Sequence, residues 1–314
     1  MNCKFLGNTK LEVSPICFGT LVIGPLQANF DIEKGAEIIA HAIDSGINFF
    51  DTAQLYETYG YLKRAIEITR KHDIVISSKT YAYTRELAIQ AVEQARWELN
   101  RDVIDIFMLH EQESIYTLNG HKEALETLLE YKSKGIIKAV GASMHHIAAV
   151  YGAIEYNLDV IHPMLNIQGL GIADGTKNQM EQALKAAYDA GLGIFSMKPL
   201  GGGNLHKQAD ECLKYIFTRD YLHSVAIGMQ SAAEVDANCE FYETGKFAES
   251  SLKLLQTQPR KLHIDSWCEA CGKCVKRCGQ NALHISNGQV VVNNKCVLCG
   301  YCSTVCEQWA IKIV

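Results

Sequence analysis

From about residue 15 to residue 240, short apolar runs alternate with longer stretches whose apolar residues recur at intervals of three and four. This is the rhythm of strands followed by helices. The runs fall at residues 16–19, 47–50, 74–77, 104–109, 136–140, 160–165, 193–197 and 224–227. Between them, stretches such as 84–99 and 122–132 carry an apolar stripe with charged residues over the rest, as amphipathic helices do. Eight strand–helix units in about 215 residues match an α/β fold, the (β/α)8 TIM barrel, whose site lies at the C-terminal ends of its strands. An open doubly wound sheet would carry a glycine fingerprint after its first strand, and Phe18-Gly19-Thr20-Leu21-Val22-Ile23-Gly24 is not GxGxxG.

Helical pattern runs to about Leu255, and Thr257-Gln258-Pro259-Arg260 reads as a linker. We therefore expect a barrel over 1–257 and a small α+β domain over 258–314. The tail repeats itself: residues 268–285 laid over 296–313 are identical at eight of 18 positions. Between the halves, Asn287-Gly288 sits between strand-forming residues, a strong hairpin signal. Each half reads Cys-x2-Cys-x2-Cys-x3-Cys, which resembles the bacterial two-cluster ferredoxin, where the fourth cysteine of each run ligates the other cluster. The resemblance implies two 4Fe-4S clusters, one on Cys268, Cys271, Cys274 and Cys306, the other on Cys296, Cys299, Cys302 and Cys278. Gly279 and Glu307 stand where the ferredoxin run has proline. Paired CxxC also suits zinc, but zinc does not explain three cysteines at intervals of three.

Composition sharpens this division. Eight of the twelve cysteines fall in the last 47 residues. Residues 1–259 carry a net charge of −9 and residues 260–314 one of +4. With the chain at −5 overall, a general nucleic-acid partner is not expected. Lys273, Lys276 and Arg277 offer either a docking face for an acidic redox partner protein or a solvated surface. No apolar run approaches the ~18 residues of a spanning helix, and Met1-Asn2-Cys3-Lys4 does not begin a secretion signal, so the expectation is a cytoplasmic protein without a membrane partner. A reducing compartment favours metal-bound over disulfide-bonded cysteines.

Polar residues close three of the expected strands. Asp51 follows 47–50, with Tyr56 five residues later at the start of the next helix; Lys79 follows 74–77, and His110 follows 104–109. This order, with Gly46-Ile47-Asn48-Phe49-Phe50-Asp51-Thr52-Ala53, resembles the catalytic tetrad of the aldo-keto reductases over roughly residues 1–245. The chemistry is coherent. A carbonyl accepting a hydride needs a proton, and a tyrosine of pKa ~10 is a weak acid at pH 7. An ammonium about 4 Å away would favour phenolate by ~4 kcal/mol at an effective dielectric of ~20, bringing the acid near neutrality. Tyr56 is the expected proton donor, Lys79 its modulator, Asp51 the anchor of Lys79 and His110 the residue that orients the substrate oxygen.

The same resemblance implies NAD(P)H as cofactor, with NADP against NAD undecided. The implied contacts are Gly19, Thr20, Ser143, Met197, Lys198, Gly228 and Asn238. Met144 replaces the asparagine usual after the carboxamide serine, and Met197 the usual ring-stacking tyrosine. Glu234 stands where NADP-specific relatives carry arginine, leaving Lys198 as a phosphate partner. Gln168 falls near the family's contact on the sixth strand.

Three readings follow. In the first, an oxidoreductase enzyme of aldo-keto reductase type, bearing iron-sulfur clusters, reduces a small-molecule carbonyl or oxidises an alcohol with NAD(P)H. In the second, electron transfer from the clusters supplies the substrate in the barrel. The third is a non-catalytic cluster-bearing binding or sensor protein.

Overall fold

In the computed structural model, which describes residues 1–256 and 260–314, a short antiparallel hairpin of β1 (Lys4–Phe5) and β2 (Glu12–Val13) leads into eight parallel strands. These are β3 (Ile16–Gly19), β4 (Phe49–Asp51), β5 (Val75–Thr80), β6 (Ile104–Leu109), β7 (Ile137–Met144), β8 (Val160–Pro163), β9 (Gly193–Met197) and β10 (Ser224–Gly228). They close on themselves, β10 pairing β3, so the expected barrel is what the chain forms.

Around it lie α1 (Ile32–Asp44), α2 (Tyr59–Thr69), α3 (Arg85–Leu99), α4 (Ile115–Gly120), α5 (Lys122–Ser133), α6 (Ile147–Glu155), α7 (Lys177–Asp189), α8 (Ala209–Phe217), α9 (Ala232–Thr244) and α10 (Glu249–Gln256). Local chemistry starts several of them. Asp31 and Thr84 cap α1 and α3, and Thr176 with Gln179 forms a capping box at α7.

Four strands depart from their expected bounds by two residues or more; β5 runs on to Thr80, so that Lys79 lies within it. β4 begins at Phe49 and includes Asp51; Asn48 just before it accepts the Val75 N–H, while its side chain holds Ser14 N and Glu12 O. Pro163 ends β8 early, having no N–H for the ladder, and only Met164 bridges onward, to Met197. Conversely, β7 continues through Gly141 to Met144; a Cβ at Gly141 would stand 2.1 Å from Val160 O, so glycine lets the strands approach.

Side chains alternate between the two faces of each strand. The outward set packs under the helices as the main core. The inward set builds a second core from Cys17, Phe49, Ile106, Met108, Val160 and Phe195, closed from below by Leu6, Leu11 and Val13 of the N-terminal hairpin. One inward step higher, the same alternation reaches Gly19, Asp51, Lys79, His110, Ser143, His162, Met197 and Gly228. Eight strands thus present one ring of residues at the barrel mouth.

The linker at 257–259 lies outside the described residues. Beyond it, β11 (Leu262–Ile264), α11 (Lys273–Arg277), the hairpin β12 (Leu283–Ser286) and β13 (Gln289–Val292), and β14 (Ile311–Ile313) form a module with its own small core. The expected Asn287-Gly288 turn is present, both residues in left-handed backbone. The sequence repeat is also a structural one. β11 of the first half pairs β14 of the second, and β12 of the first pairs β13 of the second. Ala282 N donates to Cys278 Sγ and Ala310 N to Cys306 Sγ, each at 3.3 Å, 28 residues apart in sequence.

The module sits against the barrel mouth. Ile313 N donates to Gly202 O at 3.0 Å, and Asn204 Nδ2 to Ile311 O at 3.1 Å. Trp309 packs on Met164 and Met197. Gly203 has φ +80°, and a Cβ there would stand 1.9 Å from Ile313 O. No described helix is long and apolar enough to cross a membrane.

Candidate active site and cysteine cavity

Four residues singled out from the sequence meet at the mouth. Asp51 and Lys79 are almost fully buried, and Lys79 Nζ donates to Asp51 Oδ2 and to Thr52 O, each at 2.8 Å. Tyr56 belongs to a single 3-10 turn, Gln54–Tyr56, rather than to the next helix, and its hydroxyl lies 3.4 Å from His110 Nε2. Lys79 Nζ stands over the Tyr56 ring, 4.9 Å from its centroid. His110 stacks on Tyr81 at 4.4 Å, and the Tyr81 hydroxyl donates to Glu111.

Burial works against the expected softening of the tyrosine. Burial first, then the charges of Asp51 and Glu111 and the Tyr81 phenol, push Tyr56 well above 10. Beside that burial, Asp51 neutralises the Lys79 ammonium, which faces the ring and makes no hydrogen bond to the hydroxyl. Burial, followed by Lys79, His162 and Lys198, holds His110 well below its usual value, so it is a neutral imidazole. A neutral phenol beside a neutral imidazole keeps its proton until negative charge grows on a bound oxygen.

His162 completes the group, and sequence reading missed it although it is two residues on from Val160 on the inward face of β8. Its Nδ1–H donates to Phe195 O at 2.7 Å, which turns Nε2 toward Asp51 Oδ2, 3.6 Å away. Burial pushes His162 down to about 4.

A cavity of about 720 Å³ opens from Asp51 and Tyr56 past Gly19, Met197, Lys198 and Gly228 and reaches Glu234 and Asn238. Leu298, Lys312, Ile313 and Val314 of the cysteine module form part of its wall. Five of the implied nucleotide contacts therefore line one space. Thr20 and Ser143 do not: Thr20 is tied to Asp51 O and Thr58, and Ser143 accepts the Glu111 N–H at 2.9 Å. Gln168 is bonded to Gln208 outside the cavity. Glu234 is not a lone carboxylate, because Arg260 donates to it at 3.2 Å, a partner hidden from sequence by its place 26 residues further on. The space runs from the Tyr56 rim to Asn238, with an apolar wall at Met197 and a cation at Lys198.

The cysteine runs also meet in space. Cys268, Cys271, Cys274 and Cys306 line a second cavity of about 230 Å³, and Cys306 comes from the other half of the repeat. Burial, with Cys268, Cys306 and Cys271 as neighbours, pushes the Cys274 thiol up. Burial, with Cys299, Cys274 and Cys296 nearby, pushes Cys302 up to about 12. None of the twelve cysteines is paired in a disulfide. Among the described residues no group of three or more His, Cys, Asp or Glu is drawn together as ligands of a single ion. A cubane holds its four thiolates farther apart than one ion does, and a roomy thiol-lined cavity fits that larger group. The basic face is partly consumed within the module, where Lys273 pairs with Glu307 and Arg277 lies over Tyr301.

Comparison with known proteins agrees with the barrel geometry. The model of the aldo/keto reductase family matches residues 15–211. L-galactose dehydrogenase of Arabidopsis thaliana is 22% identical over 282 residues, covering 75% of this chain and 86% of that protein. The 6-dehydroglucose reductase of Novosphingobium aromaticivorans is 27% identical over 222 residues, 64% and 69% of the two chains. Among solved structures, the aldo-keto reductase AKR11C1 from Bacillus halodurans superposes with a TM-score of 0.65 at 20% identity, covering 82% of this chain and 95% of that one, a likeness of fold. Over the barrel, from β3 into α8, the chain belongs to the aldo/keto reductase family of oxidoreductases.

Proposed function

We propose that the chain is a nicotinamide-dependent carbonyl reductase, or an alcohol dehydrogenase in the reverse direction, with Tyr56 as proton donor. The observation that carries this is the placement of the Tyr56 hydroxyl and His110 Nε2, 3.4 Å apart, at the rim of the cavity that also holds Met197, Lys198, Gly228 and Asn238. A bound NAD(P)H supplies the hydride. The chain's own residues do the rest. Met197 offers a thioether surface for the ring, and Gly19 and Gly228 leave the strand ends bare. Asn238, bonded to Glu234 O, presents its amide at the distal end. His110 fixes the carbonyl oxygen beside Tyr56, whose proton moves onto that oxygen as charge develops. Lys79, anchored by Asp51, stabilises the phenolate left behind.

We also propose residues 1–257 as the catalytic unit and 258–314 as a two-cluster ferredoxin-like unit. Its ligands are Cys268, Cys271, Cys274 and Cys306 on one side, Cys296, Cys299, Cys302 and Cys278 on the other. Support comes from the doubled topology, the paired N–H···S contacts and the four-cysteine cavity. The clusters would supply one-electron storage. One observation favours the second reading, electron supply from the module. Leu298, within the second cysteine run, lines the mouth cavity, and Gly300 of that run abuts Asn204 so closely that a Cβ would meet its carbonyl at 2.7 Å.

Anaerobically purified protein should contain about eight iron atoms per chain if both clusters are present. Titration with NADH and NADPH should quench nicotinamide fluorescence or raise the melting temperature. Absence of a response to either nucleotide, with re-oxidation of reduced clusters by substrate alone, would replace the first reading by the second.

A further inference from the structure

Lys198 is a half-buried cation at the mouth without an acidic partner. It follows β9 in left-handed backbone, φ 57°, and lines the large cavity. Its Nζ lies 3.1 Å from His145 Nε2 and, among the described residues, within ion-pair distance of no carboxylate. Neighbouring acids are committed elsewhere: Asp51 to Lys79, Glu111 to the Tyr81 hydroxyl, and Asp265 to Lys312 and His263. The other groups near Lys198 are cationic or neutral. Burial, then Lys198 itself, holds His145 well below its usual value, so its Nε2 can only accept from the ammonium. Burial and the charge of Lys312 push Lys198 down to about 7. A desolvated ammonium with one imidazole as company lacks a counter-anion.

The direction of the side chain indicates whose anion belongs there. In the barrel β9 lies between β8 and β10. The segment after β10, Gly228 to Asn238, is the nucleotide side of the cavity in the reading above. Lys198 leans the other way, across β8 to His145 just after β7, and toward His110 beside Tyr56. We propose that Lys198, steadied by His145, binds a carboxylate of the substrate, so that the carbonyl compound presented to Tyr56 is an oxo acid. This rests on the mouth being a carbonyl site.

The test compares the ortho, meta and para carboxybenzaldehydes with their methyl esters as substrates of the holoenzyme. For at least one isomer the acid should exceed the ester in kcat/KM by about 10- to 100-fold, mainly through KM. Lys198→Met should shrink that ratio to within about threefold. In parallel, benzoate should raise the melting temperature of wild type and not of Lys198→Met. Equal use of acid and ester by wild type, or a preference that survives in the variant, would overturn the assignment. So would a variant that weakens nucleotide binding more than benzoate binding, which would place the cofactor's pyrophosphate at Lys198. If neither acids nor esters are reduced with either nucleotide, the carbonyl reading fails, and the benzoate shift still decides the anion site.

Discussion

At the mouth, side chains control one another's protonation. Asp51, held by Lys79, faces His162 across 3.6 Å, while Phe195 stacks on the His162 ring at 4.0 Å. Because burial depresses His162 from 6.5 to about 4, the unfolded chain binds more protons than the folded one between those values. Its contribution to stability is complete above pH 6.5 and is lost as pH falls through 4, by up to about 3 kcal/mol. The melting temperature should therefore decline on acidification from pH 7 toward 4.5, and His162→Gln should show a shallower decline. A variant with an unchanged slope would remove His162 from that dependence. Sequence could bring Asp51, Lys79 and His110 to one mouth because they fall at the ends of successive strands, whereas the 3-10 turn that carries Tyr56 was expected as the start of a helix. The protonation of Tyr56 was not legible. It depends first on the burial of the phenol and then on Asp51, Glu111 and Tyr81 around it, and sequence carries no sign of that packing.

Among the elements, strong period made the barrel readable, and a deviation occurred where one residue overruled the pattern, as at Pro163. The hairpin of β1 and β2, two residues per strand, is too short to show a period, although it closes the barrel floor. The least visible relation is between distant segments. The loop 201–203, all glycine and all in left-handed backbone, receives the C-terminal strand β14. Gly203→Ala combines an unfavourable φ with an overlap on Ile313 O and should cost ~2 kcal/mol or more. Gly245→Ala, at φ +73° with nothing within 4 Å, should cost only ~1 kcal/mol. Thermal melts of the two variants, with limited proteolysis of the module, check this ordering. Equal losses would show that β14 yields easily.

Taken whole, the molecule joins a family barrel to a doubled cysteine module that forms part of the same cavity wall. The charge division, −9 against +4, and the crowding of cysteines set the end of the chain apart in sequence; that its residues line the barrel mouth appears only in three dimensions. Leu298, Lys312, Ile313 and Val314 reach the space occupied on its other sides by Tyr56 and Met197. Whatever binds there touches both. The most direct measurement is nicotinamide-dependent turnover by Tyr56→Phe beside wild type, each with its visible absorbance recorded. With Tyr56 as the proton donor, the variant should lose at least ~100-fold in kcat while its absorbance and nucleotide binding stay at wild-type levels. Near-normal turnover in Tyr56→Phe would contradict a carbonyl-reducing site built on this residue.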